Sequence, residues 1–363
     1  MIHAKENGKE NGKGKGRGRI FLAIFILSIF MISSCNGTNT PSISGSRVSS
    51  ASNVSKIVTK SAGKEKITVV LDWVVNTNHI GLYVAQEKGY FKKENLDVKI
   101  IQAPEMNFVE MVGANTAQFG ICGQEQLTQA RVTGSVPIVA IGTILQHNTS
   151  GFASPADRNI KSPKDFEGKI YSGWGTPLEE KFIDTLMKKE GGDFKKVTMR
   201  MMTATDFFAS METEADFAWI YYGWDGVGAT VRKYPINFIS LQDVDPKLDF
   251  YSPLFISNEQ TLEDKPDVAR RFMKAVSEGY EYAVDNVDES CDLLLKHTPE
   301  TDRVHAILSV KWLSGYFLDE NKKFGTMNES LWQDFSKWMY DNKLIDEPLD
   351  IEKSYTNAYL PEQ

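Results

Sequence analysis

The sequence predicts an α/β protein of two lobes joined by a double hinge, with a ligand cleft between the lobes. Three observations lead there. Strand-like and helix-like segments alternate from residue 67 onward, the pattern of βαβ units. The alternation breaks twice, first in the polar, Gly/Pro-rich stretch QHNTSGFASPADRNIKSP at 146–163 and again in an Asp/Pro-rich loop before Pro253. The alternating body is about 300 residues long, which at ~100–200 residues per domain makes two units.

The elements follow in chain order. Met1–Arg19 carries six basic side chains against Glu6 and Glu10, and the apolar run IFLAIFILSIFMI follows at Ile20–Ile32. That run is shorter than the roughly 20 residues a membrane-spanning helix needs. A basic start and a short apolar core make an export signal. It ends in Ile32-Ser33-Ser34-Cys35, which resembles the bacterial lipobox, with Cys35 as the thiol that takes the lipid. A plain cleaved signal with an incidental cysteine is the alternative. Residues 1–35 are thus read as a lipoprotein signal, and the Ser/Thr/Asn/Gly/Lys-rich stretch 36–66 as a flexible tether. Removing residues 1–34 takes the formal charge from −7 to −11. An acidic body without a basic run argues against a nucleic-acid partner. The five histidines show no metal-binding spacing, so no metal or cofactor is expected. Cys122 and Cys291 have no CxxC partner and read as buried small hydrophobes, although an exported chain permits a disulfide.

Within the body, Lys66–Leu71, Asn95–Gln102, Phe119–Ile121 and Val136–Leu145 read as strands of a parallel sheet, separated by helices near 78–88, 107–114 and 124–133. A second unit follows, with strands near 169–172, 196–201, 216–222 and 237–241. Its helix Pro177–Lys189 is well specified: Thr176 caps it, Pro177 suits its first position, Glu179 completes a T-x-x-E capping box, and Gly191–Gly192 end it. SPLFISN from Ser252 is a returning strand, and the remainder is mostly helical. The expected lobes are 67–150 with 252–363, and 151–251, crossing near His147–Ser154 and Leu248–Pro253.

Four stretches sit where a strand ends, and in such sheets ligands lie beyond the carboxyl ends of the strands. They are Trp73–His79, GICGQEQ at Gly120–Gln126, SGWGTP at Ser172–Pro177 and YYGWDG at Tyr221–Gly226. Trp73, Trp174, Tyr221, Tyr222 and Trp224 offer flat π-faces. Asn76, Gln124 and Thr176 offer neutral donors and acceptors, and Glu125 and Asp225 offer carboxylates. Gly175, beside a Trp, lets the backbone turn and a ligand approach. His79 at a helix start reads either as a cap or as a ligand contact, Glu125 either as a ligand contact or as a partner of the helix dipole, and Asp72 as structural. Such a cage suits a planar neutral or cationic heterocycle, with stacking worth roughly 0.5–1.5 kcal/mol per ring pair beyond area burial. An amino acid would call for an arginine that none of the four stretches supplies.

These stretches, LDWVVNTNHIGLYVAQEKGYF, FGICGQEQ, SGWGTP and FAWIYYGWDG, resemble the thiamine-precursor family of solute-binding proteins from ABC importers, over nearly all of 67–361. The resemblance implies the type II periplasmic-binding-protein fold and a ligand such as formylaminopyrimidine. Others of the family are linked to riboflavin, and more distant ones to sulfonates. It implies that Trp73, Asn76, His79, Glu125, Trp174 and the Tyr221–Trp224 run face the ligand. It also implies a membrane permease as partner for a monomeric, lipid-anchored protein outside the cytoplasm, with no catalytic role. Val75 departs from the family, where many relatives have proline. Fungal relatives are pyrimidine synthases that carry a cysteine-rich run, and no such run exists here. An enzyme that makes a pyrimidine from its own histidine and pyridoxal phosphate, and a non-transporting sensor, are the readings from other classes.

Overall fold

The computed structural model describes residues 63–103, 107–201 and 206–362. The expected signal, Cys35 and nearly all of the tether lie outside the described residues. The first sheet holds β1 (Glu65–Leu71), β2 (Leu96–Gln102), β3 (Phe119–Cys122), β4 (Ile138–Thr143) and a late strand, β10 (Leu254–Asn258), in the order β2-β1-β3-β10-β4. The second holds β5 (Ser150–Pro155), β6 (Ile170–Gly173), β7 (Thr198–Met201), β8 (Phe217–Tyr221) and β9 (Ile236–Ser240), in the order β7-β6-β8-β5-β9. β1 starts two residues earlier than the tether boundary allowed, because Glu65 and Lys66 already pair with Leu96 and Asp97.

Neither sheet is wholly parallel, contrary to the expectation. β10 runs antiparallel between β3 and β4, and β5 antiparallel between β8 and β9. Each is the strand that has just crossed from the other sheet. Ser, Gly and Pro in SGFASP predict a loop, yet all six residues of β5 are buried in the sheet. The crossings are bonded to each other: His147 Nδ1 lies 2.7 Å from Asp249 Oδ2, the Asn148 N–H donates to Asp249 Oδ1, and Asn148 Nδ2 donates to the Leu248 carbonyl. Asp249 holds the His147 imidazole above its ordinary pKa through that hydrogen bond.

The cores follow from the apolar spacing. On the helix Pro266–Asp285, Val268, Phe272 and Val276 recur at i, i+4 and i+8, and Phe272 stacks on Phe119 of β3 at 4.0 Å. In the second sheet, Phe166 stacks on Phe217 at 4.2 Å, and Phe182 packs beside Trp338. The C-terminal helices do not stay with the first sheet. Glu329–Asp341 buries Trp332 in the first core and Phe335, Trp338 and Met339 in the second. Arg303–Phe317 buries Ala306, Val310 and Leu313 in the first core while Leu313 and Trp312 press on Gly223 and Tyr222. Cys122 and Cys291 are free and buried, in two separate clusters of the first core. Among the described residues no helix is long and apolar enough to cross a membrane, and no cluster of His, Cys, Asp or Glu is arranged to hold a metal.

Candidate functional site

All four stretches leave strands at their carboxyl ends, β1, β3, β6 and β8, which run parallel to their neighbours β2 and β7 or to each other. The first is a loop closed from within. Asn76 caps the short helical turn Thr77–His79: its Oδ1 accepts the Asn78 N–H at 2.9 Å, and its Nδ2 donates to the Val74 carbonyl. His79 is fully buried; its Nδ1 accepts the Asn76 N–H at 3.2 Å and its Nε2 lies 2.8 Å from Asp72 Oδ1. An N–H can only donate, so the proton of the neutral ring sits on Nε2 and is given to Asp72. Both ring nitrogens are therefore engaged within the loop, and Asp72 is one of the anchors. Trp73, 36% exposed, stands at the crest.

The second stretch carries the unpaired polar groups. Gln124 is buried and exchanges bonds with Tyr251, its N–H donating to the Tyr251 carbonyl and its Oε1 accepting the Tyr251 N–H, while its Nε2 has no partner. Glu125 is buried with Oε2 unpartnered, and burial followed by the nearby Asp72 charge pushes its carboxyl up from 4.5 to about 7. Its carboxyl folds back over Gly123, where an added Cβ would lie 2.2 Å from its oxygens. Any larger residue at 123 would push that carboxyl aside.

The third stretch is built on Glu179. This buried carboxylate accepts from Tyr171 OH at 2.6 Å, the Trp174 N–H at 2.9 Å, the Thr176 N–H at 2.7 Å and Thr176 Oγ1 at 2.9 Å. Thr176 therefore spends its hydroxyl on the cap, and Gly175 takes φ +73°, the left-handed turn the loop needs. Trp174, 51% exposed, meets Trp219 edge-on at 6.3 Å, and Trp219 meets Tyr221 at 5.6 Å. Trp174 also lines a small cavity with Ser172, Asp206, Phe207, Trp219 and Asp225. Ser172 Oγ and Trp219 Nε1 have no partner, and burial followed by Asp206 lifts the Asp225 carboxyl from 3.8 to about 7.

The fourth stretch divides. Tyr221 OH lies 3.3 Å from Ser252 Oγ at the second crossing, and the Glu125 and Asp72 charges, after burial, push its phenol up. The charges of Asp72 and Glu125, which follow the neighbouring strands β1 and β3, thus act on Tyr221 at the end of β8. Asp225 lines the cavity beside Trp174, but Tyr222 and Trp224 pack elsewhere. Tyr222–Gly226 forms one π-helical turn, in which Tyr222 packs on Phe238 and Trp312 and Trp224 packs on His305 at 4.4 Å. The carbonyls of Gly223 and Trp224 bond Ser309 Oγ and His305 Nε2. Ser309 Oγ also lies 2.6 Å from Thr77 Oγ1, so one buried hydroxyl links the first stretch to the fourth. The cavity that Trp174 lines includes neither Trp73 nor Trp224. Trp174, Trp219 and Tyr221 form a row of rings instead. Trp219 is the member that the strand-end search passed over, because it lies inside β8.

Residues 76–290 match the NMT1/THI5-like family. The chain belongs to it. Among curated members of similar sequence, the formylaminopyrimidine-binding protein of Halalkalibacterium halodurans is 26% identical over 81% of this chain and 90% of its own length. The 4-amino-5-hydroxymethyl-2-methylpyrimidine phosphate synthase of Legionella pneumophila is 25% identical over 82% of this chain and 93% of its own. Among solved structures, the periplasmic aliphatic sulphonate binding protein SsuA of Escherichia coli superposes with a TM-score of 0.63 at 15% identity, covering 82% of this chain and 94% of that one. At that identity the likeness is one of fold, and the fold is that of the periplasmic binding proteins, as the resemblance implied. This NMT1/THI5-like chain thus shares its sequence family with binders and synthases alike.

Proposed function

We propose that this chain is the substrate-binding lipoprotein of an ABC importer, held to the outer face of the membrane through Cys35. It captures a thiamine pyrimidine precursor of the formylaminopyrimidine type between lobes 67–150 with 252–363 and 151–251. The observation that carries the reading is the pair of buried, unpartnered groups Gln124 Nε2 and Glu125 Oε2 just after β3, beside the end of β1 and within electrostatic reach of Tyr221 at the end of β8. Unpaired buried donors and acceptors cost stability unless a ligand completes them. An aminopyrimidine edge, with a ring nitrogen beside an amino group, offers an acceptor for the amide and a donor for the carboxyl. Trp73, Asn76, Trp174, Gly175, Thr176 and Tyr221 shape the walls, directly or through their neighbours. The H. halodurans relative, named for the same ligand class, supports the reading.

Isothermal titration with formylaminopyrimidine, with 4-amino-5-hydroxymethyl-2-methylpyrimidine and with riboflavin tests it. Micromolar binding, on the order of 8 kcal/mol, is expected for the aminopyrimidines. Heat from the flavin alone would move the assignment to flavins, and silence from every planar heterocycle would remove it. The L. pneumophila relative gives the synthase reading its support. Against it, none of the four strand-end stretches contains a lysine to carry pyridoxal phosphate. An aldimine absorbance band on adding pyridoxal phosphate would favour that reading instead.

A further inference from the structure

The base of the first stretch is bridged by one fully buried side chain, His79. The His79 ring joins Asp72, the residue directly after β1, to the backbone of Asn76, and so spans the base of the loop whose crest is Trp73 and Val74. The two contacts differ in kind: one is an acceptor for a backbone N–H and the other a donor to a carboxylate. A neutral imidazole supplies both from one rigid plane. The position is the third residue of the helical turn, where a capping box ordinarily uses Glu or Gln. A carboxylate there would face Asp72, a like charge. Glu125 already stands close enough to Asp72 for that charge to raise its carboxyl. The ring has 0% exposure, so it presents nothing to a ligand.

We propose that His79 is a positioning residue for the ligand site: it sets the height and orientation of Trp73 in the ligand-free protein, and through Trp73 it sets affinity for a planar ligand. The second half of this inference rests on the function proposed above; the first half does not.

The test reads both halves. The indole N–H resonance of Trp73, assigned with Trp73→Phe, is followed in the ligand-free protein, and formylaminopyrimidine is titrated into the same samples. His79→Ala and His79→Phe remove both hydrogen bonds, and the phenyl ring keeps the buried volume filled where alanine does not fold. His79→Gln restores an acceptor and a donor on one planar amide. Loss of two hydrogen bonds predicts a shifted or broadened Trp73 resonance and at least about tenfold weaker binding for Ala and Phe. Gln is expected to return the resonance and to bring affinity to within about threefold of the parent, since it re-forms both contacts. An unmoved Trp73 resonance in the Ala and Phe variants overturns the proposal. So does equal loss of binding in Gln and Ala with the resonance unchanged, which would make the ring a direct ligand contact. If no variant and no parent binds, while the resonance moves as expected, the proposed function fails and the positioning role stands.

Discussion

Two strand-to-helix junctions, one on each sheet, solve the same problem with different chemistry. At Asp72–His79 and at Gly173–Glu179 an exposed tryptophan crowns the loop, an N-cap side chain accepts a backbone N–H, and the third helical residue reaches back. In the second sheet that residue is Glu179, whose two oxygens accept four hydrogen bonds, one of them from the Trp174 backbone itself. In the first sheet it is His79, with two bonds, neither of them to Trp73. The carboxylates differ in the same sense. Glu179 nests where a Cβ on Gly173 would lie 2.1 Å away and is saturated, whereas Glu125 nests over Gly123 and keeps Oε2 free. A saturated buried carboxylate builds structure. Of these two, Glu125 is the one left with an unpartnered oxygen.

The sharpest way to break this contrast is Glu179→Ala. It strands the Tyr171 hydroxyl and two loop N–H groups, and about 4 kcal/mol of unfolding free energy should be lost in urea titrations, with Trp174 more accessible to quencher. A loss below about 1 kcal/mol would show that the carboxylate is not the frame of that loop.

Glu125→Gln should act in the opposite direction. The folded-state pKa of Glu125 lies above the unfolded value, so the native state holds the proton more tightly. The stability it contributes is full below 4.5 and is lost as pH rises toward about 7. Removing the charge should therefore stabilise the ligand-free protein at pH 8 by up to about 3 kcal/mol and change little at pH 4. Thermal unfolding across that range checks it, and a pH-independent difference would count against a buried, unpaired carboxyl. The same variant should weaken aminopyrimidine binding.

The smallest effect is expected from the caps. Thr176→Ala and Asn76→Ala should each cost about 1 kcal/mol of stability. Only Asn76→Ala should also disturb its loop's tryptophan, because Trp174 retains its own bond to Glu179. Equal disturbance of both tryptophans would erase the distinction between the junctions.

The T-x-x-E box at Thr176–Glu179 was legible because both partners are the usual ones and lie three residues apart. N-x-x-H at Asn76–His79 carries the same geometry but leaves cap and ligand contact both open, since imidazole is rarely a cap partner and its other anchor, Asp72, is set by the curl of the loop. Local sequence also told the strand-end positions of the four stretches, the two crossings and the glycines beside the aromatics. It could not orient Tyr222 and Trp224: their directions are fixed by Ser309, His305 and Trp312 on a helix about eighty residues later.

By itself, then, the sequence determined most of the strands and helices, β5 excepted, because apolar periodicity, caps and turn residues act over a few neighbouring positions. Only the tertiary structure decided the antiparallel direction of the crossing strands β5 and β10, the partnering of Trp174 with Trp219 rather than Trp224, and the raised carboxyl of Glu125. Those depend on which distant groups share a small volume from which water is excluded, and no local pattern encodes that.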